Sequence, residues 1–488
     1  MCYYFSILTD YCLKDVVFLK LLVILPHKYQ LLISRTSMRH RDNYEFLTTA
    51  PIARVIGTLS VPTIITMLTS SLYSIADTFF VSQINTQATA AVGIVFAVLA
   101  ILQAVGFFFG HGSGNFISRH LGAKDNQGAQ IMATTGFLLS LVAGVVIAAV
   151  CLPFVAFLSE LLGSTPTIQP YTETYLSIIL IGSPLQIGSL VLNNQLRFQG
   201  NAAFAMYGIV AGTIVNVALD PLFIFVFDWG IAGAAWATVL GWAISSAILL
   251  ILSMRLTKIG ISWRCFRPNK LLLTNIVSGG TPSLSRQGLG SIATILLNVA
   301  AAPYGDAAIA AMSIVGRISF VINSVIIGLG QGFQPLCGFS FGAKLFDRVT
   351  RAFWITVRLS TLFLVFCTVV GFIFSEEIIA WFRDDADVIE IGTLALRIQL
   401  CSLPICAFIM HSNMLMQTIN MPLRANLIAA ARRGLFFIPL ILVLPRFYGL
   451  LGVQMCQAVS DVLSLLLAIP IMYTVFKDIR KINVKCEA

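Results

Sequence analysis

Gly122-Ala123-Lys124 returns unchanged, 220 residues later, as Gly342-Ala343-Lys344. The same interval separates Val61-Pro62 from Thr281-Pro282 and Ala88-Thr89-Ala90-Ala91 from Ala308-Ile309-Ala310-Ala311. It also separates Gly110 and Gly112 from Gly330 and Gly332, and Pro184 from Pro404. Near the end it slips by one, so that Gly230 and Gly233 answer to Gly449 and Gly452. A constant offset over most of a chain means two copies of one design. In a membrane protein such halves usually enclose a pathway between them.

The composition points to a membrane. Hydrophobic residues make up 58% and charged residues 11%, where a soluble domain carries about a quarter charged. Apolar runs of about 20 residues, the length that spans a bilayer as a helix, recur along the whole chain. Twelve are expected, over 54–82, 88–114, 128–157, 169–196, 202–228, 231–255, 271–299, 306–334, 351–380, 387–416, 423–446 and 449–477. They are too long and too uniformly apolar for the alternating strands of an outer-membrane barrel. The fold class is therefore all-α and polytopic, with two six-helix lobes. Residues 46–262 would hold helices 1–6 and residues 263–488 helices 7–12.

A net charge of +10 invites a nucleic-acid reading, but position excludes it. The basic residues fall in every second loop: Arg119, His120 and Lys124; Arg197; Arg255 to Lys270; Lys344, Arg348 and Arg351; Arg424; Lys477 to Lys485. Positive loops stay cytoplasmic, so both termini are expected inside, in the cytoplasmic (inner) membrane. Six helices per repeat relate the halves by an axis along the membrane normal, and Arg255–Lys270 is the natural connector. Val16–Leu25 is too short to span and lacks a signal-like cleavage site. Met38 followed by Arg-His-Arg-Asp reads like a start. The extension over 1–45 is expected to include, at 1–37, an over-extended reading frame or a dispensable tail.

Pro62, Pro184, Pro282 and Pro404 each lie inside an apolar span, where they remove a hydrogen bond and favour a kink. Gly110-His111-Gly112-Ser113-Gly114 has the look of a phosphate-binding loop, yet no strand precedes it. Close helix packing or a turn at the end of the helix is the better reading. No Walker sequence, H-E-x-x-H or G-x-S-x-G occurs, which leaves an enzyme nothing to stand on. The ten cysteines are scattered without a CxxC and read as buried small hydrophobes.

A carboxylate inside an apolar helix costs about 2.5–3.5 kcal/mol on insertion scales. Asp77, Asp220 and Asp461 stand out in this way. Tyr73 precedes Asp77, and Asn216 precedes Asp220, by one helical turn on the same face. The neighbouring spans bring Thr238 and the pair Asn193-Asn194. If these converge, two carboxylates share a small polar pocket in low dielectric, where both cannot be ionised cheaply. Such a site exchanges a proton or Na⁺. In the alternative, Asp220 turns the helix before Pro221 and Asp77 lies near the outer end of its own.

These segments carry a resemblance. Ser74-Ile75-Ala76-Asp77-Thr78-Phe79-Phe80, Asn216-Val217-Ala218-Leu219-Asp220-Pro221 and Gly230-Ile231-Ala232-Gly233-Ala234-Ala235-Trp236-Ala237-Thr238 resemble the multidrug and toxic compound extrusion (MATE) family, in its DinF-like branch. The likeness runs from about residue 45 onward. It implies a cation site, for H⁺ or Na⁺, at Asp77, Asn216, Asp220 and Thr238, with Tyr73 and Asn193 nearby. It also implies that Pro62 is where the first helix bends on protonation. The acids that the other bacterial branch carries in its seventh and tenth helices are missing here.

The second half is basic instead, with Arg286, Arg317, Arg397, Arg432 and Arg433 in or near spans. A buried arginine needs a partner. Asp461 is expected to pair with Arg286 or with one of Arg432 and Arg433; the rival is a bare arginine in the cleft, attracting an anion. The resulting expectation is a cation-coupled antiporter exporting amphiphilic compounds, acting as a monomer in lipid, with no cofactor and no nucleic acid. One charge crossing 100 mV supplies about 2.3 kcal/mol, a gradient of about 50-fold. A lipid-linked glycan flippase of related fold, favoured by the arginines, and a receptor or scaffold, disfavoured by the short loops, are the alternatives.

Overall fold

The computed structural model describes residues 43–487 except Lys258 and Asp384, and the backbone alone at 72–75, 256, 306 and 485–487. The expectations for residues 1–37 lie outside the described residues. A short helix covers Asn43–Thr49, and Leu47–Ala488 forms one unit. The first six spans are α1 (Ile52–Ser82), α2 (Thr86–Gly122), α3 (Asn126–Cys151), α4 (Gln169–Phe198), α5 (Ala202–Pro221) and α6 (Gly230–Leu256). The second six are α7 (Lys270–Ala301), α8 (Asp306–Gly342), α9 (Phe346–Ile373), α10 (Ala386–Thr418), α11 (Pro422–Tyr448, in two helical pieces) and α12 (Leu450–Glu487). No strand occurs among the described residues. Eleven of these helices are long and apolar enough to cross a membrane; α7, which carries Arg286, is long enough but more polar.

The starts follow from side-chain caps. The Asn85, Asp125 and Asn269 side chains accept from the amides of Ala88, Gly128 and Leu272 at 2.7, 2.8 and 2.8 Å, satisfying donors that a helix leaves orphaned. The ends repeat too. Lys124 (φ 63°) and Lys344 (φ 60°) both take a positive φ just after a helix, Gly200 and Asn420 do likewise, and Gly230 and Gly449 also share a positive φ. A positive φ is uncommon for lysine, so its recurrence at the same interval is the backbone counterpart of the sequence repeat.

Lipid-facing positions repeat as well. Val142, Val146 and Val150 on α3 are exposed, and so are Leu362, Phe366 and Val370 on α9. Large apolar side chains on an outer surface suit hydrocarbon rather than water.

The halves interlock. α1 packs more extensively on α8 than on its neighbour α2, and α7 more on α2 than on α8. Glycines make this possible, because small residues let helix backbones approach where lipid supplies no hydrophobic drive. A Cβ on Gly112 would strike the Ile276 carbonyl, one on Gly280 the Phe108 carbonyl, and one on Gly332 the Ser60 backbone. Gly122 and Gly342 lie against Phe339 and Arg119, at the ends of α8 and α2. All of these contacts fall in the helix halves nearest the basic loops. Toward the other end Gly93, Gly288, Gly290 and Gly316 face open space. The glycine contacts between the lobes are concentrated at the basic-loop end.

The spans expected at 88–114 and 306–334 run on to Gly122 and Gly342 as α2 and α8. The Gly110–Gly114 run lies inside α2, not at its end, and its glycines mark where neighbouring helices cross. Enlarging Gly112 or Gly332 to valine is expected to hold the lobes apart at the basic-loop end. Spin labels at positions 124 and 344, in a cysteine-free background, will then report a longer and broader distance than in the parent protein.

Candidate cation site and the polar seam

α5 and α6 approach closely because Gly212 lies against the Gly241 carbonyl and Gly241 against the Asn216 side chain. That approach sets Asn216 Nδ2 3.3 Å from Thr238 Oγ1. α1 packs on α5, and Asp77 on α1 comes within electrostatic reach of Asp220 on α5. All four residues are buried: Asp220 is 0% exposed, Thr238 1%, Asn216 3% and Asp77 6%. Asp220 lies just before a π turn at Leu222–Val226 that follows Pro221, a local widening often found at functional positions.

Asp77 Oδ1, Asn216 Oδ1 and both carboxylate oxygens of Asp220 have no hydrogen-bond partner among the described residues. Buried polar atoms are ordinarily satisfied, and exceptions call for a reason. Four orphaned oxygens from adjoining helices form an acceptor-only donor set for a cation, which suits H⁺ or Na⁺. No cluster of three His, Cys, Asp or Glu side chains with the makings of a transition-metal site occurs among the described residues. Asn193 stands differently: its amide donates to the Ala205 carbonyl at 2.9 Å. The repeat-related Asn413 does the same to Ala425 at 2.7 Å. Tyr73 belongs to α1, one turn before Asp77, and its side chain is not described.

The acid of the second half is arranged in the opposite way. Asp461, 1% exposed, accepts from Arg432 Nε at 2.7 Å, Gln457 Nε2 at 2.8 Å and Ser402 Oγ at 3.2 Å. Of the candidate partners, Arg432 makes the ion pair. Arg433 is half-buried beside it, and Arg286 turns away to Asn413 Oδ1 at 3.0 Å. Both of these guanidinium groups therefore lack the carboxylate that Arg432 has.

Sequence reasoning missed a second polar cluster. Arg197, counted among the loop charges, is 1% exposed. It donates to Gln331 Oε1 across the lobe boundary at 2.5 Å and to Asn194 Oδ1 at 2.5 Å. It also lies 3.3 Å from His111 Nε2. An arginine can only donate, so His111 Nε2 accepts and its proton resides on Nδ1, facing the Phe107 carbonyl at 3.1 Å. The amide run Asn193-Asn194-Gln195 just ahead of Arg197 was the available signal. Arg119 Nη1 crosses the same seam to the Thr418 carbonyl at 2.6 Å, and Ser60 Oγ to Leu329 at 3.3 Å.

Comparison with known proteins agrees with this architecture. The MatE family matches twice, over residues 62–222 and 282–443, one match per repeat. The multidrug export protein MepA of Staphylococcus aureus (strain MSSA476) is 27% identical over 429 residues, spanning 87% of this chain and 94% of its own. MepA of Staphylococcus saprophyticus is 28% identical over 419 residues, spanning 85% and 92%. A solved structure described as the outward-facing conformation of a multidrug resistance MATE family transporter superposes with a TM-score of 0.85 at 25% identity. It covers 90% of this chain and 99% of its own.

Replacing Asp461 by leucine strands a buried guanidinium, which costs about 3–5 kcal/mol. The single variant is expected to unfold at a clearly lower temperature in detergent. Arg432→Met combined with Asp461→Leu should recover most of the loss, because a packed apolar pair has no charge to desolvate. A double variant no more stable than the single one would mean the ion pair is not where the cost arises.

Proposed function

We propose that this chain, which belongs to the MatE family, is a cation-coupled exporter of amphiphilic small molecules, with Asp77 and Asp220 as the coupling acids. The observation that carries the reading is the set of orphaned oxygens on two acids within electrostatic reach of each other. A cation entering between Asp77 and Asp220 supplies the positive charge that the pair lacks. Asn216 adds an amide oxygen, Thr238 holds the Asn216 side chain in place, and Tyr73 lies one turn before Asp77 on α1. Asn193, bonded to Ala205 about 16 Å back along α5, stands outside the site. Leaving the site, the cation uncovers two like charges in a dry chamber. That difference is what biases one arrangement of the lobes against another.

α1 carries the bias to the lobe boundary. It bears Asp77 toward one end and, toward the other, Ser60 and Ile64, which pack on α8 beside Gly332 and Gly328. Pro62 lies between those two contacts, where the missing amide leaves the helix easiest to bend. The N-lobe, residues 46–262, and the C-lobe, residues 263–488, then rock about the seam. On this reading the basic loops, and with them both termini, lie on the cytoplasmic side of the cell membrane, and the lobes open toward the opposite side. The multidrug export named for the MepA relatives supports an amphiphilic cargo, handled by a monomer.

The test is export of a rhodamine ester from proteoliposomes under imposed H⁺ and Na⁺ gradients. Asp77→Asn and Asp220→Asn should each cut gradient-driven export by at least about tenfold, the loss expected when a coupling free energy of about 1–3 kcal/mol is removed. Export at the parental rate by both variants, with unchanged pH and Na⁺ dependence, would refute the assignment.

A further inference from the structure

Arg197 and Arg286 have no carboxylate partner among the described residues, and they approach each other across the lobe boundary. Arg197 comes from α4 and Arg286 from α7, and their charges lie within mutual reach, with His111 in reach of both. Every hydrogen-bond partner that either guanidinium has is neutral: Gln331, Asn194 and His111 for Arg197, Asn413 for Arg286. Arg197 Nε has no hydrogen-bond partner among the described residues. Among the described residues no carboxylate pairs with either one. Elsewhere the chain does supply an acid to a buried arginine, at Arg432–Asp461. Arg119 and Arg433 also have no ion pair among the described residues, but Arg197 and Arg286 lie within reach of each other's charge across the lobe boundary.

Its position gives it access. On α7 the glycines that touch the other lobe are Gly279 and Gly280, against α2, whereas Gly288 and Gly290 face open space. Arg286 falls between them and is half-buried. It stands just past the glycine crossing, with Arg197 buried within reach of its charge, so the two form a basic floor above that crossing.

We infer that this floor is an oxyanion site, in which Arg286 grips the carboxylate or phosphate head of an anionic amphiphile while Arg197, fixed by Gln331, Asn194 and His111, adds a second positive charge from behind. Guanidinium is the side chain best shaped for such heads, offering paired N–H donors to paired oxygens. As a site for cargo it rests on the export reading and gives that cargo a sign. As a binding site it is measurable without transport.

The experiment is equilibrium anisotropy on the purified full chain in detergent. One probe is fluorescein, an aromatic carboxylate; the other is a rhodamine ester, the same ring system with positive charge. Arg286→Gln is expected to weaken fluorescein binding by at least about tenfold, the loss of one charge-assisted contact, and to leave the rhodamine ester unaffected or bound more tightly. Arg286→Lys should restore part of the affinity. In the parent protein, inorganic phosphate should displace fluorescein better than chloride at equal ionic strength. Unchanged fluorescein binding in Arg286→Gln, or an equal loss for both dyes, would overturn the proposal. Should Arg286→Gln fail to fold, phosphate no more effective than chloride overturns it instead. Intact fluorescein binding in a protein that exports neither dye would retire the export reading and keep the site.

Discussion

The whole arrangement depends on how closely two pairs of helices cross at one end of the molecule. In lipid, apolar side chains gain nothing by leaving their surroundings for one another, so helix contact must come from fitted surfaces and polar links. Here the fit is made by glycines that touch carbonyls and backbone of the opposite lobe, at Gly112, Gly280, Gly332, Gly122 and Gly342. Because the first helix of each half lies on the second helix of the other, neither half is closed by its own residues. The seam is at once the joint between the lobes and the barrier across the pathway.

Against that joint the three buried acids divide cleanly. Asp461 has an arginine, an amide and a hydroxyl, and it has nothing left to accept. Asp77 and Asp220 have each other's charge and unfilled oxygens. A satisfied buried charge fixes structure, and its removal shows as lost stability. An unsatisfied one calls for another explanation, and on the proposed function that explanation is a cation that comes and goes. Burial is alike in the two halves; only the polar surroundings differ.

Much of this was legible before any coordinates. Most helix starts could be placed within a few residues because hydrocarbon thickness dictates a run length, although α2 and α8 run eight residues past their expected ends. The repeat was visible because turn glycines and the two Gly-Ala-Lys ends were kept. The acid cluster was legible because Asp77 and Asp220 are conspicuous in apolar runs. The crossed packing was not. An offset of 220 tells which residues are equivalent, never which ones touch, and α1 on α8 is a matter of which faces are small. Arg197 misled for a related reason: one residue from the end of an apolar span it looks like a loop charge, whereas its guanidinium turns inward to Gln331, Asn194 and His111. The partner of Asp461 was narrowed to three arginines by composition, but choosing Arg432 required the π turn at Ala431–Leu435 that presents it.

The helix that joins the acids to the seam has an unusual surface. Along α1, Thr58, Thr63, Thr66, Ser70 and Ser71 each turn their hydroxyl back onto a carbonyl four residues earlier. Such back-bonding loosens the backbone ladder and favours bending. Pro62 falls within this series and removes one ladder bond outright. A stiff rod would carry a change at Asp77 to α8 as a tilt of the whole helix, dragging the α5 contacts with it. A helix weakened between Ser60 and Ile64 can instead keep its outer part on α5 and yield at the glycine crossing, about 22 Å away at 1.5 Å per residue. On the proposed coupling, the softness of α1 is therefore as necessary as the charge on Asp77: without it, neutralising the acids would strain the site rather than open the seam.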